Sequence, residues 1–186
     1  MPKEEPQPIQ PPAPPVPAVG PIDQREADIL AKLYPPFAAK VAAVLLKARQ
    51  ENMHVFIFEG MRDMKRQEEL YAKGRDANGN VVNKKLVVTN AKPGSSYHNY
   101  GLAVDLVFDG IPSTPKVDWS WDGSMPWARL GQIGQECGLE WAGSWKSFPE
   151  APHHQILAPG VKWRDLKAWF DVGGLANVWK EVGSRA

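Results

Sequence analysis

The sequence predicts an α+β fold, and three stretches carry that prediction. Residues Phe37 to Glu51 repeat apolar side chains at helical spacing: Phe37, Val41, Val44, Leu45 and Ala48 fall on one stripe. Leu102 to Phe108 alternates instead. Leu102, Val104 and Leu106 share one face of a strand, and Ala103, Asp105 and Val107 the other. Pro152 to Leu157 is short, follows a proline and reads as extended.

The remaining elements follow in chain order. Residues 1–21 are Pro-rich and expected to form an extended tail or linker, leaving 22–186 as one folded domain. Asp23 to Leu33 is expected to form a short helix, with Asp23 as N-cap and Glu26 at capping-box spacing. Val55 to Phe58 reads as a buried strand ending at Glu59-Gly60-Met61-Arg62, followed by a helix over Met64 to Lys73. Gly74 to Lys85 is polar; with Val81-Val82 and Leu86 to Thr89 it suggests an extended hairpin or flap over 76–87. Asp109 to Trp127 reads as a loop, Trp127 to Cys137 as a helix closed by Gly138. Trp163 to Phe170 and Leu175 to Val182 read as helices separated by Gly173-Gly174, with Trp163, Trp169 and Trp179 expected on the core.

Composition excludes several functions. The 186 residues carry a formal net charge of +1, so no field for nucleic acid or a membrane surface is implied. No apolar run approaches the roughly 20 residues of a membrane span. Cys137 is the single cysteine, which rules out an intrachain disulfide and suits a small core residue. A basic segment followed by an apolar one is missing from the N-terminus, so no secretory signal is expected.

The chemistry concentrates around Asp105. An ionised carboxylate in an apolar strand is costly without compensation, and a cation is the simplest partner. His98 lies just upstream, across Asn99-Tyr100-Gly101, where a strand, a tight turn and a second strand would bring the two together. Glu150-Ala151-Pro152-His153-His154 supplies a third group far downstream. Two imidazoles and a carboxylate with one open position form a catalytic zinc set, which leaves Glu150 free to act as a base on water. In an extended segment His153 and His154 point to opposite faces, so only one of them faces the site.

The pattern S-x-H-x-x-G-x-A-x-D followed by [DE]-x-P-H resembles the zinc peptidases of the D-alanyl-D-alanine carboxypeptidase superfamily. It is most similar to the L-alanyl-D-glutamate endopeptidase branch, which includes phage endolysins. The resemblance spans about Leu33 to Gln155 and includes Glu59-Gly60-Met61-Arg62, Gln67, Leu70 to Arg75 and Val88-Thr89-Asn90-Ala91. It implies a small, mainly antiparallel sheet flanked by helices, with the zinc site on the sheet. It also implies one Zn2+ held by His98, Asp105 and His153, because the motif puts the ligand directly after Pro152.

Catalysis is expected from Glu150 as base and from Arg62, set against the carbonyl oxygen of the scissile bond. Substrate contacts are expected from Ser96, Gln67, Trp141 and Trp145, with Gln67 also placed to brace its segment, Ser96 equally suited to a local turn bond, and Trp141 and Trp145 equally suited to burial in the core. This chain has Glu150 where many members of the branch carry Asp, and a longer linker after Gly74. The implied substrate is bacterial peptidoglycan, cut between L-Ala and D-Glu by a monomer. The protein would be made in the cytoplasm and reach the wall after release by other means. A D,D-carboxypeptidase or dipeptidase on the same scaffold is the alternative, and a non-catalytic wall-binding module the third reading.

Overall fold

A computed structural model describes residues 20–112 and 116–185. The expected tail lies outside these residues apart from 20 and 21, as do 113–115 of the loop after Asp109.

Helix α1 (Gln24–Leu30) begins at the expected capping box: the Asp23 carboxylate accepts from the Glu26 amide, and Glu26 accepts from the Asp23 amide. The Glu26 carboxylate is fully buried and also accepts from the Arg49 guanidinium at 2.7 Å. That ion pair ties α1 to α2 (Pro35–Gln50), which starts on the two prolines that suit a first turn. Phe37, Val41, Val44, Leu45 and Ala48 of α2 are all buried, each of the larger ones contributing about 1.5–3 kcal/mol.

Strand β1 (Val55–Glu59) follows, then α3 (Met64–Ala72), β2 (Ala103–Asp109), β3 (Trp119–Ser120), α4 (Trp127–Glu136), β4 (Glu140–Trp141), β5 (His153–Gln155) and α5 (Trp163–Gly183). The antiparallel sheet runs β1-β2-β5-β4, with β3 paired to the far end of β2. One face of β2, with Val104, Leu106 and Phe108, joins α2, α4 and α5 in a single apolar core. The opposite face carries Asp105. No helix among the described residues is long and apolar enough to cross a membrane.

Four expectations are corrected. β1 packs only one face on the core, so Val55 and Ile57 are buried while Phe58 is open to solvent. The 76–87 region is no extended hairpin: one bridge joins Arg75 to Val81, Asp76 closes a turn by accepting from Asn78 and Asn80, and Lys84–Leu86 forms a helical turn. His98 does not sit on a strand. It lies in a short helical turn, Tyr97–Tyr100, capped by Ser96 at one end and by Gly101 at φ +67° at the other. Trp119–Ser120 forms a strand inside the segment read as loop. The break at Gly173 and Gly174 kinks α5 as expected.

Candidate metal centre and active site

β2 and β5 pair so that Asp105 lies opposite His153. Side-chain alternation along β5 then sends His153 toward the Asp105 face and His154 into the core. The Tyr97–Tyr100 turn completes the set. Its position is fixed by two bonds to the segment after β1: the Arg62 amide donates to the His98 carbonyl at 3.0 Å, and Asn99 Nδ2 donates to the Arg62 carbonyl at 2.9 Å.

These elements bring three ligand atoms together. His98 Nε2 lies 3.2 Å from His153 Nδ1, His153 Nδ1 lies 3.3 Å from Asp105 Oδ1, and His98 Nε2 lies 3.4 Å from the same oxygen. Four-coordinate zinc with bonds of about 2.0–2.1 Å requires ligand atoms about 3.3 Å apart. The triangle therefore already has the spacing of one face of that tetrahedron, and these three residues form the group able to hold a metal among those described.

Proton positions support the fit. His98 Nδ1 donates to the Gly60 carbonyl at 2.8 Å, which leaves Nε2 as a bare acceptor. Glu140 can only accept, so the Gln155 amide must turn its NH2 to Glu140 Oε2, at 2.5 Å. Gln155 Oε1 then faces His153 Nε2 at 3.0 Å and accepts a hydrogen bond from its N–H, leaving His153 Nδ1 bare. Two bare nitrogens and a carboxylate oxygen converging without a proton among them call for a cation. Such outer partners orient metal ligands and fix their tautomers.

Among the protein groups alone, burial would raise Asp105, but His98 and His153 hold it well below the usual carboxylate range. Burial lowers His98. For His153 burial acts downward too, yet the negative Asp105 carboxylate beside it leaves it raised. Glu150 is pushed up, first by burial; its Oε2 lies 3.9 Å from His153 Nδ1, and it accepts no hydrogen bond from the described side chains.

Arg62 is 7% exposed and heavily engaged. Its Nε and Nη2 donate to Glu59 Oε2 at 2.9 and 2.6 Å, Nη1 to Gln67 Oε1 at 3.0 Å, and Nη2 to Asp105 Oδ2 at 3.0 Å. A guanidinium has five N–H donors. These contacts leave a single Nη1 hydrogen, so the first task of Arg62 is to hold the outer oxygen of Asp105.

A cavity of about 800 Å³ opens over the triad, lined among others by Phe58, Arg66, Lys73, Trp121, Trp145 and Glu150. The expected substrate contacts separate here. Trp145 lies on the wall with its ring 5.6 Å from His153, and its Nε1 donates to Glu140 Oε1. Ser96 also lines the cavity, but its hydroxyl accepts from the His98 amide and caps the turn. Gln67 is fully buried, bridging Arg62 and the Ala91 carbonyl, and so braces the site without reaching substrate. Trp141 is no part of the wall: its indole packs on α4 at Gly131 and donates to the Ala151 carbonyl. His154 is buried behind the sheet against Gly134, where any added Cβ would lie 2.4 Å from its ring.

Sequence reasoning missed Glu59, Asn99, Glu140 and Gln155 as parts of the site. Glu59 stood in the quoted Glu59 to Arg62 motif, and an acid so near a candidate catalytic cation was its one signal.

Known proteins share the sequence and the fold of this chain. Residues 31–154 match the family described as VanY: D-alanyl-D-alanine carboxypeptidase. The peptidoglycan L-alanyl-D-glutamate endopeptidase CwlK of Bacillus subtilis is 35% identical over 129 residues, covering 67% of this chain and 74% of CwlK. The L-Ala D-Glu endopeptidase ChiX of Serratia marcescens has a similar fold, with a TM-score of 0.50 at 24% identity, covering 72% of this chain and 87% of ChiX. On the family match and the identity to CwlK together, the chain belongs to the VanY family of D-alanyl-D-alanine carboxypeptidases.

Proposed function

We propose that the chain is a zinc peptidase that hydrolyses peptidoglycan stem peptides at the L-alanyl-D-glutamate bond. The observation that carries this reading is the His98–Asp105–His153 triangle, open to a cavity beside Glu150, in a chain 35% identical to an endopeptidase of that specificity. Two imidazoles and one carboxylate suit zinc as a borderline ion. A bound zinc ion supplies an electrophile for the scissile carbonyl and acidifies water so that attack proceeds near neutral pH.

The chain's own residues do the rest. Gly60 and Gln155 keep protons on the outer nitrogens of His98 and His153, so the inner ones stay available. Arg62 holds Asp105 Oδ2, which turns Oδ1 inward. Glu150 takes the proton of the attacking water and returns it to the leaving amine. Its raised proton affinity suits a base that must hold that proton between the two steps. The remaining Nη1 hydrogen of Arg62 is what that residue offers the carbonyl oxygen. Trp145 forms one wall for the peptide.

The reading includes a monomer acting on bacterial peptidoglycan after release from the cytoplasm. Digestion of purified wall peptides, followed by mass spectrometry, tests it. A new C-terminal L-Ala is expected. Loss of terminal D-Ala alone would replace this reading with a D,D-carboxypeptidase, and uncut peptides with metal-replete protein would remove both.

A further inference from the structure

The outer face of β1 carries an aromatic group that the peptidase chemistry does not use. Phe56 and Phe58 meet Trp119 and Trp121 at the end of β3. Trp119, 36% exposed, packs its ring on both phenylalanines, with the Arg25 guanidinium 5.3 Å over it, and is off the cavity wall. Trp121 lies on that wall. It stands edge-on to Phe58, with centroids 4.9 Å apart at 86°, and stays 48% exposed, while Phe58 is 36% exposed. The indole N–H groups of Trp127, Trp141, Trp145 and Trp179 all donate within the fold. Those of Trp119, Trp121, Trp163 and Trp169 have no partner among the described residues, and of these four only Trp121 lines the cavity. Phe58 and Trp121 thus present a braced, flat apolar surface with one unused donor, and both line the cavity that holds the metal ligands.

We propose that Trp121 and Phe58 form a subsite for the N-acetylated sugar to which the stem peptide is attached. This proposal rests on the peptidoglycan reading above. Sugar rings present C–H faces that stack on aromatic rings, and the acetamido oxygen accepts a hydrogen bond of the kind Trp121 can donate.

The position fits as well. Phe58 is one residue from Glu59, which lies opposite Asp105 across the β1–β2 ladder. Strand spacings put the two backbones roughly 6 Å apart. The alanyl residue and the acyl link that join the cut bond to the sugar span roughly 7 Å when extended. Charge divides the cavity in the same sense. Lys73, just past the end of α3, lines the far side and is suited to a carboxylate of the stem peptide, while Arg66 on the same wall is paired with Glu59 and Glu69. The uncharged lip at Phe58 and Trp121 is left for the uncharged sugar.

The test compares a stem peptide linked to the N-acetylglucosamine–N-acetylmuramic acid disaccharide with the same peptide free. Full-length protein is expected to prefer the linked substrate in kcat/KM by about tenfold or more. Trp121→Ala should bring that ratio close to one, and Trp121→Phe, which keeps an aromatic face, should retain part of it. A ratio near one in the unmodified protein overturns the subsite, as does an equal loss on both substrates in Trp121→Ala.

A second measurement needs no cleavage. The indole N–H signal of Trp121, identified by its absence in Trp121→Phe, should shift saturably when the peptide-free disaccharide is titrated in; no shift overturns the proposal. Protein that binds the disaccharide but cuts no wall peptide fails the proposed function and keeps the subsite. Protein that releases C-terminal L-Ala without a shift keeps the function and loses the subsite.

Discussion

His153 and His154 are neighbours in sequence, are both buried and have opposite fates. The ring of His153 enters the cavity beside Asp105 and His98 and is held by Gln155. The ring of His154 turns the other way, donates through Nδ1 to the Pro152 carbonyl and fills the space that Gly134 leaves open on α4. The difference comes from the two-residue period of β5 and from nothing in the residue type. A histidine becomes a ligand here because of the face it occupies and the partners waiting on that face.

The largest effects belong to the cavity side. Glu150→Gln should lower cleavage of stem peptides by about 10²–10⁴-fold while the bound ion stays, as followed by peptide release and metal content. Cleavage unchanged by that substitution would remove Glu150 as the base.

On the core side the expected signature is in stability. Burial holds His154 down to about 4, below its ordinary 6.5. The unfolded chain therefore takes up a proton as pH falls below 6.5 while the folded chain does not until about pH 4. The associated stability is complete above pH 6.5 and is lost through that window, by up to about 3 kcal/mol. Urea unfolding at several pH values checks this, and His154→Leu should flatten the dependence.

Gln155→Leu sharpens the comparison further, because it leaves the fate of both rings to the strand alone. Without its acceptor, His153 loses its fixed tautomer, and zinc affinity measured by chelator competition should fall about 10–100-fold. The smallest effect is expected from Trp141→Phe, which removes one hydrogen bond to Ala151. Stability should drop by about 1 kcal/mol with KM unmoved, since that indole does not line the cavity.

What the sequence made legible was periodic and local. The stripe of α2, the alternation of β2 and the motif around Pro152 were enough to place Asp105 and His153 on extended segments. His98 was harder, because a four-residue helical turn has no period to read; only its caps, Ser96 and Gly101, mark it. β3 is two residues long and carries no pattern of its own. The supports of the site were hidden for another reason. Gln155 meets Glu140 only because β4 pairs with β5, and Arg62 meets Asp105 only because β1 pairs with β2. Such contacts depend on strand neighbours 15 and 43 residues apart, which spacing along one segment cannot reveal. For the same reason Arg62, read as facing a substrate oxygen, proves to be mostly committed to Glu59, Gln67 and Asp105.

Metal content per chain, measured on the full-length protein and on three single variants, tests the central claim most directly. One zinc ion per chain is expected in the unmodified protein and in His154→Leu, and none in His98→Ala or His153→Ala. An ion retained by His153→Ala, or lost from His154→Leu with its fold intact, would contradict the assignment.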